Sequence, residues 1–167
     1  AQFDQDRDQV LASLKEAGVM KVCNISNGWK DLLATLDLVD RIPWFYGAVG
    51  IHPCEIRDLT EERLEEIRTF AHRDRIVAIG EIGLDYYWVK DKEERINQRE
   101  WFVRQLHLAR EEDLPVVIHS RDAAQDTFDI MTLPSMPQYR TVRRIIGNCD
   151  FCGIDGQTFE DSIGNCG

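Results

Sequence analysis

Three residues of this chain close apolar runs, and all three can bind protons or metal ions. His52 closes "GAVGIHP", Glu81 closes "IVAIGE" and His119 closes "LPVVIH", with Arg121 and Asp122 directly after. Unbroken apolar runs of this kind read as strands buried on both faces. A charge at the end of one needs compensation, because a buried ion is costly without a partner. If the strands run parallel, their ends converge on one rim, where a carboxylate and imidazoles suit a divalent metal. Such an ion lowers the pKa of bound water and polarises a phosphoryl or carbonyl oxygen. Each residue taken singly has a plainer reading. A strand-end histidine is commonly a hydrogen-bonded structural group, and Glu81 could cap a neighbouring helix or pair with an arginine. Three at successive strand ends are harder to assign to structure alone.

The elements that must position these residues alternate along the chain. "RDQVLASLKEAG", "WKDLLATLDLVDRI", "LTEERLEEIRTFAHR", "KEERINQREWFVRQLHLAREED" and the start of "RDAAQDTFDIM" carry helical spacing. Gly18 is a stop for the first, Pro43 follows the second, and Thr60 can cap the third, with Glu61 and Glu62 at its positive end. Between them, "VMKVCNIS", "WFYGAVGIHP", "RIVAIGEIG" and "LPVVIHS" read as strands. Regular alternation with continuous apolar strands predicts an α/β fold with a parallel sheet, either doubly wound or a (β/α)8 barrel. Neither a glycine-rich dinucleotide fingerprint nor a phosphate loop is present. His72 and His107 fall on helices, away from the strand ends. Trp29, Trp44 and Trp101 read as packing residues. Tyr86, Tyr87 and Trp88 follow Glu81 in a loop, where they could stack a base or sugar or close the rim.

Composition narrows the choice of function. A chain of 167 residues suits one domain, and a net charge of −10 lacks the basic footprint of a passive nucleic-acid binder. That does not exclude a nucleic-acid enzyme, because bound divalent ions supply local positive charge. No run approaches the ~18 apolar residues of a membrane span, and no signal peptide is visible. The five cysteines are an odd count, which predicts reduced thiols and a cytoplasmic setting. Cys23 reads as a small core residue. Cys149 and Cys152 form half a zinc site with no evident fourth ligand. After Thr132 the repeating pattern breaks, with Pro134 and Pro137 close together.

Three segments in order, "AVGIHP", "VAIGEIGLDYY" and "LPVVIHSRDA", resemble the TatD family of metal-dependent deoxyribonucleases. The opening "FDQDRDQVLASLKEAGV" is similar to that family's first helix. The resemblance covers about residues 1–131. It implies a partial TIM-type (β/α)8 barrel of the amidohydrolase kind, about strands 2–5 with their helices. It also implies a centre of divalent metal ions (Mg, Mn or Zn), two per complete site, and hydrolysis of DNA phosphodiester bonds, typically at single-stranded ends, by metal-activated water. Carried over, Glu81 and His119 would be metal ligands, and His52 would complete the catalytic set. His52 and Arg121 would face the substrate phosphate, with Asp85 and Tyr86 supporting the ligands from behind. The family also carries an H-x-H strand before this region and further His and Asp ligands after it. The expectation is therefore an N-terminally truncated partial domain over 1–131, weakly active or inactive alone, and an irregular non-family tail over 132–167. An amidohydrolase cleaving C–N bonds and a non-catalytic interaction module are the alternatives. Neither a membrane nor an obligate protein partner is expected.

Overall fold

The computed structural model describes residues 5–132. The paired Cys149 and Cys152, and all of the expected tail beyond Thr132, lie outside the described residues. The chain runs α1 (Arg7–Glu16), β1 (Val22–Ile25), α2 (Trp29–Arg41), β2 (Phe45–Val49), a 3-10 segment (Pro53–Asp58), α3 (Glu61–Ala71), β3 (Ile76–Asp85), α4 (Lys92–Glu111), β4 (Val116–Arg121) and α5 (Ala124–Thr132). Helix ends follow local chemistry. Thr60 Oγ1 accepts the Arg63 N–H at 3.3 Å, and Asp91 Oδ1 accepts the N–H groups of Glu93 and Glu94 at 2.9 and 3.0 Å. Gly18 takes φ +85° just beyond α1, the left-handed exit that glycine permits.

Among the described residues the four strands are parallel and lie in the order β1-β2-β3-β4. This order decides between the two architectures left open by the alternation. A doubly wound sheet reverses its strand order at a switch point. Here each strand simply joins the next, as in a barrel. The fold is α/β, half of a barrel with its helices.

The main core lies on one face of the sheet. Val49, Ile79, Ile82, Leu84, Val116 and Ile118 pack there against Leu32 and Val39 of α2, Ile67 of α3, and Phe102 and Leu106 of α4. The opposite face is built from smaller side chains: Ala48, Ala78 and Val117 form a separate cluster with Ile25 against it. Along β4, Val117, His119 and Arg121 therefore share the face away from the helices, since neighbours two apart point the same way.

Cys23 departs from its expected place in the core. It is exposed: Val22 and Asn24 face the helices, Asn24 donating to Thr35 Oγ1 of α2 at 2.7 Å, so Cys23 lies with Ile25 on the opposite face of β1. Among the described residues, no helix is long and apolar enough to cross a membrane.

Candidate metal centre

Strand register brings the candidate residues together. Gly83 of β3 lies opposite His119 of β4, and Asp85 lies opposite Arg121. His119 is the hub. Its Nδ1 is 3.3 Å from Glu81 Oε1, and its Nε2 is 3.0 Å from Asp85 Oδ2. The His52 ring meets the His119 ring edge-on, with centroids 4.1 Å apart. Donor atoms of His52, Glu81 and His119 all lie within 4.8 Å of one another. Burial is graded: the Asp85 side chain is 2% exposed, that of His119 12% and that of Glu81 23%. The carboxylate nearer to solvent is thus Glu81, and the deeper one is Asp85.

The electrostatics follow from this packing. Burial disfavours charge on His119, but the hydrogen bonds and charges of Glu81 and Asp85 outweigh it and raise its pKa. Burial also works against the Asp85 carboxylate, yet the Trp88 N–H and the His119 ring lower its pKa overall. His52 is pushed down to about 4, by burial first and then by the charge of His119. Its Nδ1 accepts the Cys54 N–H at 3.1 Å. The neutral ring therefore carries its proton on Nε2, which makes that atom a donor rather than a ligand.

The donor set fits a divalent ion between Glu81 and His119. Oxygen and nitrogen ligands at about 2.1 Å in tetrahedral geometry stand about 3.4 Å apart. The 3.3 Å between Nδ1 and Oε1 is close to that spacing. Asp85 on Nε2 supplies the outer carboxylate that fixes the ring and tautomer of a ligating histidine.

The profile of the family described as TatD related DNase matches residues 1–147 of this chain. The chain belongs to the TatD-related DNase family. The uncharacterized metal-dependent hydrolase YabD of Bacillus subtilis (strain 168) is 35% identical over 130 residues, covering 78% of this chain and 50% of YabD. The 3'-5' ssDNA/RNA exonuclease TatD of Cronobacter sakazakii (strain ATCC BAA-894) is 32% identical over 123 residues, covering 74% of this chain and 46% of that protein. Among solved structures, the TatD homologue YJJV of Escherichia coli K12 superposes with a TM-score of 0.69 at 28% identity, over 81% of this chain and 54% of its own. The TatD-related chain thus spans about half the length of the relatives it matches.

The other predicted residues of this TatD-related DNase chain lie around the hub. Arg121 leaves the same face of β4 as His119, and its guanidinium sits 3.8 Å from the centre of the Tyr87 ring. The Tyr86 hydroxyl donates to Asp126 Oδ2 at 2.6 Å, which ties the end of β3 to α5.

Three residues that sequence reading passed over hold the frame. Ser26, fully buried, donates to the Gly50 carbonyl at 2.8 Å and accepts the Gly50 N–H at 3.0 Å. The Ser26 carbonyl accepts the Glu81 N–H at 3.0 Å. The strand ends behind Glu81 are thereby joined. Gln105 grips Ile51 from both sides, accepting its N–H at 2.8 Å and donating to its carbonyl at 3.0 Å. Gln98 accepts the Asp85 N–H at 3.0 Å and donates to the Pro53 carbonyl at 3.2 Å. A signal for the glutamines was present. They fall seven residues apart on α4, on the face that holds Phe102 and Ala109, where an apolar residue is the norm.

Gln98→Leu leaves the Asp85 N–H buried without its partner and takes the side-chain bond from the Pro53 carbonyl. It should destabilise the protein by about 1–3 kcal/mol for each group left unpaired. Urea unfolding checks this, and a loss under about 0.5 kcal/mol would contradict the buried pairing.

Proposed function

We propose that a protein containing this chain is a metal-dependent hydrolase that cleaves DNA phosphodiester bonds, with single-stranded ends as substrate. The observation that carries the reading is the His119 ring held between Glu81 and Asp85 at the end of two adjacent strands. Family membership and the names of the relatives support it. The odd cysteine count fits a cytoplasmic setting.

In this reading Glu81 Oε1 and His119 Nδ1 hold a divalent ion (Mg, Mn or Zn), and the complete site takes two. When bound, the metal lowers the pKa of water and polarises phosphoryl oxygens. Asp85 keeps the His119 proton on Nε2 and leaves Nδ1 free to ligate. His52 is neutral and presents its Nε2–H as a donor to a phosphate oxygen. Arg121, two residues beyond His119, offers a fixed positive charge to the same phosphate.

Titration of chelator-treated protein with each of the three ions, with cleavage of end-labelled single-stranded DNA alongside, tests this. Cleavage that requires an added ion is expected, and failure to bind any of the three ions would overturn the reading. Proton and metal compete for the Nδ1 lone pair of His119, so affinity should fall as the pH is lowered through its pKa. Because Glu81 and Asp85 raise that pKa, the decline should begin above the ordinary histidine value of 6.5.

A further inference from the structure

The loop after β3 presents two aromatic rings to solvent on a firmly held backbone. Trp88 is 67% exposed and Tyr87 43%, whereas their neighbour Tyr86 is only 9% exposed. Tyr86 thus closes the end of the sheet, and the other two rings are left outside it. The loop itself is pinned at several points. The Trp88 N–H donates to Asp85 Oδ1 at 2.9 Å, and Arg95 donates to the carbonyls of Val89 and Tyr86 at 2.9 and 3.1 Å. The Tyr87 and Trp88 rings stand edge to face, 4.8 Å apart and 88° to one another.

Two cations accompany the rings in a chain whose net charge is −10. The Arg121 guanidinium lies 3.8 Å from the Tyr87 centroid and 5.6 Å from that of Trp88. Lys90 Nζ lies 5.5 Å from the Tyr87 centroid, where it also donates to the Tyr86 carbonyl at 2.8 Å and stands 4.0 Å from Asp122. Arg121 is opposite Asp85 in the strand register and shares a face of β4 with His119, so it links the rings to the metal centre.

We propose that Trp88, with Tyr87 behind it, is a stacking platform for an unpaired nucleobase, and that Arg121 and Lys90 take the adjoining phosphates. The inference rests on the nuclease reading above and adds the source of strand selectivity. Stacking tolerates any base, because every base has a π-face, but it needs that face uncovered. Bases in the interior of a duplex are covered, and those of a single strand are not. Selection is then for strandedness rather than for sequence.

The test compares full-chain protein binding to oligothymidylate and to an abasic oligomer of equal length and charge, in chelator, by fluorescence anisotropy. Trp88→Ala should weaken oligothymidylate binding about 10-fold or more and leave abasic binding unchanged. Trp88→Phe should retain most of the parent affinity, which separates loss of stacking from loss of fold. Equal affinity of the parent protein for both oligomers, no binding of either, or an equal loss on both in Trp88→Ala would each overturn the platform. Selective loss, in a protein that contains this chain and shows no metal-dependent cleavage, would uphold the platform and remove the nuclease reading. Glu81-dependent cleavage with unchanged binding by Trp88→Ala would do the reverse.

Discussion

In a protein containing this chain, replacing Glu81 by glutamine should lower metal-dependent cleavage of single-stranded DNA by more than about 100-fold, since even the outer partners of a metal site cost about 10- to 100-fold when lost. The substitution keeps the size and shape of the side chain. It also leaves the backbone bond from the Glu81 N–H to the Ser26 carbonyl in place. What it removes is the negative oxygen 3.3 Å from His119 Nδ1. A neutral amide oxygen is a poorer donor to a divalent ion. One of the two carboxylates that raise the His119 pKa disappears with it, so the ring should titrate lower in the variant without metal. Chemical shifts of the His119 ring followed against pH report that change independently of activity. Unchanged cleavage and unchanged metal affinity together would remove Glu81 from the centre.

Gly83→Ala should cost more than about 4 kcal/mol or prevent folding, which puts it among the exceptional single substitutions. Gly83 has φ +144°, where a side chain is strained. A Cβ there would lie 1.9 Å from the carbonyl oxygen of His119 and 2.9 Å from its carbonyl carbon. Both are backbone atoms of β4, so no rotamer change relieves the clash and the strands must part. Gly18→Ala is the control. Gly18 also has positive φ, but a Cβ on it meets nothing within 4 Å. It should cost only the conformational term of about 1–2 kcal/mol. Urea denaturation of both variants separates the two effects, and a Gly83→Ala midpoint close to that of Gly18→Ala would show that β3 and β4 are not this close.

Much of this arrangement was legible in the sequence, because it rests on local signals. Apolar runs marked the strands, and Thr60 marked the start of α3. The coincidence of His52, Glu81 and His119 at successive strand ends pointed to one rim, and the structure brings their donor atoms together. What stayed hidden depends on partners far away in sequence. Gln105 bonds to Ile51, 54 positions before it, and nothing around either residue announces the pairing. Ser26 lies in an unremarkable "SNG" turn until Gly50 and Glu81 arrive beside it. β3 runs on to Asp85, past the expected end at Gly83, because pairing with β4 extends it where glycine alone would argue against a strand. Cys23 looked like core because its neighbours are apolar, but it lies on the face of β1 turned away from the helices and is exposed.

Gln98 and Gln105 make α4 a common mount for two neighbouring pieces of the centre. Gln98 touches both the strand end that carries Asp85 and the turn that follows His52, and Gln105 holds the residue just before His52. Small displacements of the helix therefore carry Asp85 and the His52 turn along together, and the spacing between them is kept while their absolute position drifts. The same coupling sets a tolerance. Inserting one residue into α4 ahead of Gln98 rotates both amides by about 100°, and both grips are lost in one step. The phase of α4 is locked to the centre it supports.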